Sequence, residues 1–291
     1  MNGIIIIDKL AGWTSHDVIA KLRGILKQKR IGHGGTLDPM ATGVLPVFIG
    51  RATRAAEFCE NAEKEYIAGL RLGIVTDTQD ITGKVLATNE VTVTADDIKA
   101  VIPRFLGAQK QIPPMHSAIK KDGKKLYELA RKGIEVPREA RDVIISYIKL
   151  INEENHNYII RVACSKGTYI RTLCHDIGAA LGCGGTLSSL QRTRAGVYSI
   201  GMSRTLDEVT SAALTDSVSS IIMPVDSIFS EYPSVMLAAA EVKKAKNGAV
   251  CKTQSDTKNG KYKVYAPDGE FLLFGEITNN NIKTIKSFFE V

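Results

Sequence analysis

The stretch RIGHGGTLDPMATGVLPVFIG, residues 30–50, sets its one carboxylate, Asp38, directly before Pro39, with His33 and the glycines Gly32, Gly34 and Gly35 just ahead of it. Pro39 pushes Asp38 out of the α region into an extended or turn conformation. Gly32, Gly34 and Gly35 let main chain approach main chain or ligand closely. A stiff loop results, which presents one acid to a cleft and runs on into a strand, VLPVFI. On these residues alone the loop is either a structural turn or the seat of an active carboxylate: a nucleophile, a general base or a metal ligand. A metal would need more oxygen ligands close by, and none is near in sequence. The spacings of glycine-rich phosphate loops do not match.

Upstream, the β-branched run GIIIID (residues 3–8) predicts a buried strand. Thr14 and Asp17 form a capping-box pattern, and Val18, Ile19, Leu22, Ile25 and Leu26 follow at helical spacing, with the helix ending before Gly32. Downstream, residues 51–61 predict a short helix, 64–73 a strand and 76–84 a turn. A second capping box, Thr94 to Asp97, opens a helix that Pro103 bends or ends. Strands are expected over 142–151 and 157–165. An amphipathic helix should follow on Ile170, Leu173, Ile177 and Leu181, then a strand-like segment over 186–200 and a third capped helix from Thr205. Near residues 230–234 the pattern changes to a short helix and a hairpin around Pro267, Asp268 and Gly269. The fold class is α+β: a mixed, mainly antiparallel central sheet flanked by helices, with a small β-rich C-terminal domain. The expected domains are 1–230 and 231–291.

The chain has 291 residues, 44% of them hydrophobic, enough for one large core and a small one. It holds no apolar run of the roughly 18 residues that span a bilayer. The start, MNGIIIIDK, is not a signal peptide, so a cytoplasmic location is expected. The five cysteines include no CxxC pair and read as small buried apolar residues. The five histidines are scattered, so no metal site is expected. Net charge is +7 and pI about 9.1, a weak pointer to a polyanionic partner. Its distribution says more: from Lys110 to Arg141 nine lysines and arginines face four acids. This Pro-flanked segment, with one short helix expected over KKLYELARKG, reads as an insertion. It is either a solvated face or an arm that contacts phosphates.

GHGGTLDPMATGVL closely resembles the central motif of the TruB family of tRNA pseudouridine synthases, and DKLAGWTSHD resembles its N-terminal motif. KEYIAGLRLGIVTDTQDITG, QIPPMHSAIKKDGKKLYELARKG and CSKGTYIRTLCHDIG resemble three further family segments in the same order, and the tail resembles a PUA-like RNA-binding module. The resemblance covers essentially the whole chain. It implies a pseudouridine-synthase sheet and isomerisation of the T-loop uridine at tRNA position 55, with no cofactor and no metal. The partner it implies is the tRNA T-arm stem-loop, bound by a monomer. By the same resemblance Asp38 is the catalytic aspartate, whether it attacks C1′ or takes a proton from C2′, and Arg171 is the arginine that pairs with it. His33 packs where flipped bases rearrange, and Tyr66 stacks on the target uracil. Tyr169 and Leu190 line the pocket. Asp80 helps hold the stem-loop or the aspartate–arginine arrangement. The basic insertion, with Lys120, Lys121, Lys124 and Lys125, resembles the family's mobile RNA-clamping arm.

Three positions depart from the family pattern: Leu10 stands for the usual proline, His116 for an aromatic and Ala195 for serine. They bear on loop stiffness and fine RNA contacts, not on a proposed catalytic group. An RNA-binding or tRNA-folding module is the competing class, and it has no need of Asp38 with Arg171. A phosphate-handling hydrolase would need a metal cluster or P-loop that the chain lacks. The tail alone carries nine lysines against seven acids, too mild an excess to prove RNA contact.

Overall fold

Four consecutive isoleucines open the main sheet. Ile4 to Ile7 are all at most 1% exposed. Ile5 and Ile7 enter one core, and Ile4 and Ile6 enter another on the opposite face. A continuous apolar run is what a strand covered on both sides requires. The structure, a computed structural model, describes residues 1–253 and 257–289.

The chain order is β1 (Gly3–Lys9), α1 (Ser15–Ile25), β2 (Ile31–His33), β3 (Thr42–Ile49), α2 (Ala56–Asn61), β4 (Lys64–Leu72), β5 (Ile74–Thr76), β6 (Val85–Thr88) and α3 (Ala95–Val101). There follow β7 (Gly107–Gln111), β8 (Lys120–Lys121), β9 (Lys124–Lys125), α4 (Leu126–Ala130), β10 (Arg141–Glu154), β11 (Asn157–Cys164), α5 (Ile170–Ala180), β12 (Gly185–Ala195), β13 (Tyr198–Ser199) and α6 (Leu206–Leu214). Strands β1-β3-β12-β4-β11-β10-β7 form the main sheet in that order, with β2 paired to β3 and β13 to β12. All its ladders are antiparallel except β3 with β12, where Gln191 lies opposite Thr42 and Arg192 opposite Gly43. Gly43 has φ +95°, and a Cβ there would meet the Arg192 carbonyl oxygen at 2.3 Å, so only glycine fits this crossing.

The expected caps form: Thr14 with Asp17, Thr94 with Asp97 and Thr205 with Glu208 are complete capping boxes. Helix α1 ends at Ile25, well short of Gly32, where Lys27 takes φ +48°. Pro103 lies in a 3-10 turn that closes α3. In the basic insertion the helix is shorter than expected, since Lys124 and Lys125 pair with Lys120 and Lys121 in a small hairpin. Lys110 and Arg141 belong to paired strands, so the segment that leaves the sheet is residues 112–140. All five cysteines are free and buried.

A second sheet follows: β14 (Ser234–Met236), β15 (Cys251–Lys252), β16 (Gly260–Tyr265), β17 (Phe271–Thr278) and β18 (Asn281–Ser287), with α7 (Ala239–Lys246) between its first two strands. Its inner aromatics pack on the main body. Phe229 stacks on Phe274 with centroids 4.2 Å apart, and Phe58 meets both edge-on. Lys286 Nζ lies 2.6 Å from Glu57 Oε1 beside this seam. Among the described residues no helix is long and apolar enough to cross a membrane.

Candidate active site

Asp38 sits on the loop between β2 and β3, and its neighbours are tied down one by one. Ser15 Oγ, at the start of α1, accepts from Leu37 N at 2.9 Å and donates back to Leu37 O at 3.3 Å. Ala41 N donates to Asp38 O at 3.0 Å and closes the turn through Pro39. Gly34 packs so tightly that a Cβ would stand 2.7 Å from Phe48 and 2.8 Å from Cys59. Gly32 makes no such approach, since its nearest neighbour to a Cβ would be Thr53 at 3.9 Å.

Two buried cations hold the loop from behind, and neither is apparent from sequence. Lys9 is 0% exposed and donates to the carbonyls of Leu10, Trp13 and Pro39 at 3.0, 2.7 and 3.3 Å. Burial lowers its pKa to about 8, against the pull of Asp38. Arg192, 1% exposed on β12, donates to the carbonyls of Val44, Gly35 and Thr36 at 2.7, 3.1 and 3.4 Å. Its fork spans both ends of the Asp38 loop. A buried cation of this kind needs full hydrogen bonding to offset its desolvation, and here main-chain oxygens supply it. Nothing in the sequence marks Arg192, since the strand around it, GTLSSLQRTRA, is mostly polar.

The acid has a cation before it as well. Arg171 Nε, on the first turn of α5, lies 2.9 Å from Asp38 Oδ2. The approach is an ion pair, with Nε outside hydrogen-bond geometry. Arg171 is 4% exposed while Asp38 is 38% exposed, so the acid faces outward from a buried base. Arg171 Nη1 donates to Thr78 O at 3.1 Å and lies 3.6 Å from Asp80 Oδ2; Nη2 donates to His116 O at 2.8 Å. Asp80, 8% exposed, also accepts from Thr82 N at 3.0 Å, Thr82 Oγ1 at 2.5 Å and Thr78 Oγ1 at 2.9 Å. Residues from three distant segments thus form one chain of charges, Asp38–Arg171–Asp80.

Tyr66 stands on β4 directly opposite Arg192 of β12, with its phenol pKa raised by burial. Tyr169 precedes α5, and burial raises its phenol too. The Asp38 charge is felt at both rings. Leu190, 8% exposed, belongs to the main core, against which Tyr66 packs. His33, on β2, meets His16 edge-on with centroids 5.5 Å apart. Burial lowers its pKa to about 4, so the ring is neutral near pH 7, and its Nδ1 has no hydrogen-bond partner among the described residues. Lys120 and Lys124 on the arm hairpin are exposed. Lys121 Nζ donates to Pro137 O at 2.7 Å, and Lys125 Nζ lies 5.4 Å from the centre of the Tyr127 ring. Among the described residues no group of three or more His, Cys, Asp or Glu side chains is placed to hold a metal ion.

An outward carboxylate paired with a buried guanidinium, with two phenol rings in its field, suits proton abstraction or nucleophilic attack. Over residues 23–170 the chain matches the TruB family pseudouridylate synthase N-terminal domain, and over residues 171–230 the tRNA pseudouridylate synthase B C-terminal domain. It is 42% identical to the tRNA pseudouridine synthase B of Clostridium kluyveri, over 99% of this chain and 100% of that one. The Alkaliphilus oremlandii protein of the same name is 48% identical over 84% of this chain and 79% of its own. A solved Cbf5-Nop10-Gar1 complex superposes with TM-score 0.76 at 27% identity, covering 99% of this chain and 85% of that one. An H/ACA RNP bound to a substrate RNA containing 2'-deoxyuridine does so with TM-score 0.74 at 26% identity, over the same shares.

Proposed function

The chain belongs to the TruB family of pseudouridylate synthases, and from that premise we propose that it isomerises the T-loop uridine at position 55 of tRNA, with Asp38 as the catalytic carboxylate. Its relatives are named for pseudouridine formation in tRNA. The observation that carries the reading is the Asp38–Arg171 pair, an exposed acid at 2.9 Å from a buried guanidinium. Binding RNA does not call for such a pair; chemistry at a sugar does.

The reaction breaks the bond from ribose C1′ to uracil N1, turns the base and joins C1′ to C5. N1 gains a proton and C5 loses one, so atoms and electrons balance within the nucleotide and water. A base in a folded T-loop has to leave its stack to be reached. In this reading Tyr66 stacks on the extruded uracil, and Tyr169 and Leu190 wall the pocket. Asp80 fixes the far side of Arg171, and His33 packs against displaced bases. Attack on C1′ and removal of the C2′ proton both need an ionised Asp38 at the sugar. Residues 112–140 act as the RNA-clamping arm of a monomer that works in the cytoplasm. Residues 231–291 act as a PUA-like RNA-binding domain.

Incubating an unmodified tRNA transcript with the pure protein and mapping pseudouridine by carbodiimide chemistry tests the reading. One modified uridine in the T-loop is expected, at equal yield with chelator on a stem-loop folded without Mg²⁺. No pseudouridine, or pseudouridine elsewhere, sinks it.

The arm is expected to act through phosphates, which fix position without reading sequence. Changing Lys120, Lys121, Lys124 and Lys125 together to alanine should weaken tRNA binding but leave the modified position unchanged. For every phosphate that the altered arm no longer neutralises, the plot of log K against log salt should flatten by roughly 0.7 to 0.9. Filter binding at several salt concentrations reads this. An unchanged slope would return the arm to an ordinary solvated surface.

A further inference from the structure

Gln111 is the last residue of β7 and the root of the arm, yet it is only 5% exposed. Its side chain does not point back into its own strand. Its Oε1 accepts from Tyr169 N at 2.7 Å, and its Nε2 donates to Tyr169 O at 3.0 Å. One planar amide therefore holds both main-chain polar groups of a residue 58 positions away.

Tyr169 is the N-cap of α5 and makes no side-chain cap of its own. A helix start leaves its first N–H groups without internal partners, and Gln111 supplies one of the missing acceptors. The Tyr169 carbonyl also takes the first helical bond, from Leu173 N at 3.0 Å. The grip thus fixes the turn on which Arg171 stands, two residues on. Farther along, the arm touches that arginine itself, since His116 O accepts from Arg171 Nη2 at 2.8 Å. Between these two contacts run Pro113 and Pro114, which limit how the segment can bend.

We propose that Gln111 is a positioning residue for the isomerisation, acting through the Tyr169 main chain to hold Arg171 against Asp38. The inference rests on the reading that this pair carries the reaction. It makes the root of the arm part of the machinery that orients the acid. Only a primary amide of this length offers a donor and an acceptor side by side. Methionine has nearly the same length and neither group; glutamate keeps the acceptor and loses the donor.

The test compares Gln111→Met and Gln111→Glu with the wild-type chain, with Asp38→Asn in the same tRNA assay. Gln111→Met should lower turnover at saturating tRNA by about tenfold or more, the scale on which small misplacements act. Its tRNA affinity should stay within about threefold of wild type, because ground-state binding is not at stake. Gln111→Glu should lose at least as much, since its second oxygen would face the Tyr169 carbonyl. In ¹⁵N-labelled protein the Arg171 Nε–H signal should shift or broaden in both variants. In the wild-type chain the Tyr169 amide should exchange with solvent as slowly as amides inside the main sheet.

Variants that match wild-type turnover with an unmoved Arg171 signal overturn the proposal, and so does loss of affinity in step with turnover. Fast exchange of the wild-type Tyr169 amide overturns it even if neither variant folds. Should the wild-type chain make no pseudouridine, the broader reading fails, while the Arg171 signal and the amide exchange still decide the latch.

Discussion

Asp38→Asn should fold and bind tRNA almost as the wild type does, and should make no measurable pseudouridine. Asparagine keeps the shape and an oxygen toward Arg171 but cannot be ionised. Asp38 is 38% exposed, so its replacement strips little from the core. Arg171 keeps its bonds to Thr78 O and His116 O and its neighbour Asp80. The loop keeps its ties through Ser15, Lys9 and Arg192. The loss therefore falls on the chemical step, where removal of an essential group costs about four powers of ten or more. Single-turnover rates beside filter-binding constants separate the two. A variant with more than a few per cent of wild-type turnover would show that the acid is elsewhere.

Arg171→Met should damage both turnover and stability. Methionine fills the volume, but Asp38 loses its orienting charge. Inside, the carbonyls of Thr78 and His116 lose their donor. Asp80, 8% exposed, is left with three hydrogen bonds and no cation. Removing one side of a buried ion pair costs about 3–5 kcal/mol, and the remaining bonds to Asp80 place the loss toward the lower end. Turnover should fall by about two powers of ten or more, since a misaimed acid acts only in rare orientations. Arg171→Lys should recover stability better than rate, because an ammonium cannot reproduce the fork. Urea midpoints and single-turnover rates check both. An Arg171→Met protein with near wild-type rate would mean that the pair does not orient Asp38.

Local chemistry makes much of the architecture readable. Each capping box is written within four residues, and the run Ile4–Ile7 declares a strand buried on two faces. Strand β7, GAQKQ, carries no apolar alternation and becomes a strand because β10 pairs with it. Strands β8 and β9 take two lysines each, those of β9 from what reads as a helix, because a hairpin forms with a tight turn at Asp122 and Gly123, both at positive φ. In the site, the rigid setting of Asp38 is plain in the sequence. The loop residues by themselves leave a turn and an active acid both open, and only the longer motifs, by their likeness to a family, favour the acid. Lys9, Arg192 and Gln111 are not legible there, because what they hold are main-chain atoms, and their ties to Pro39, Val44 and Tyr169 reach across 30, 148 and 58 positions. No residue type or spacing announces a bond of that kind.

The reach of Arg192 to Val44 also sets an order in time. Loop closure over 148 positions is entropically costly, and contacts of that span form late. During synthesis the Asp38 loop leaves the ribosome long before β12 exists to pair with β3 and to place a guanidinium behind it. A nascent chain can form β1 and α1 early, and with them the ties from Lys9 and Ser15, but the Asp38 loop lacks its Arg192 support until some 195 residues have emerged, counting to the end of β12. The N-terminal half therefore waits, while it is being made, for a strand from far down the chain to complete the backing of its loop.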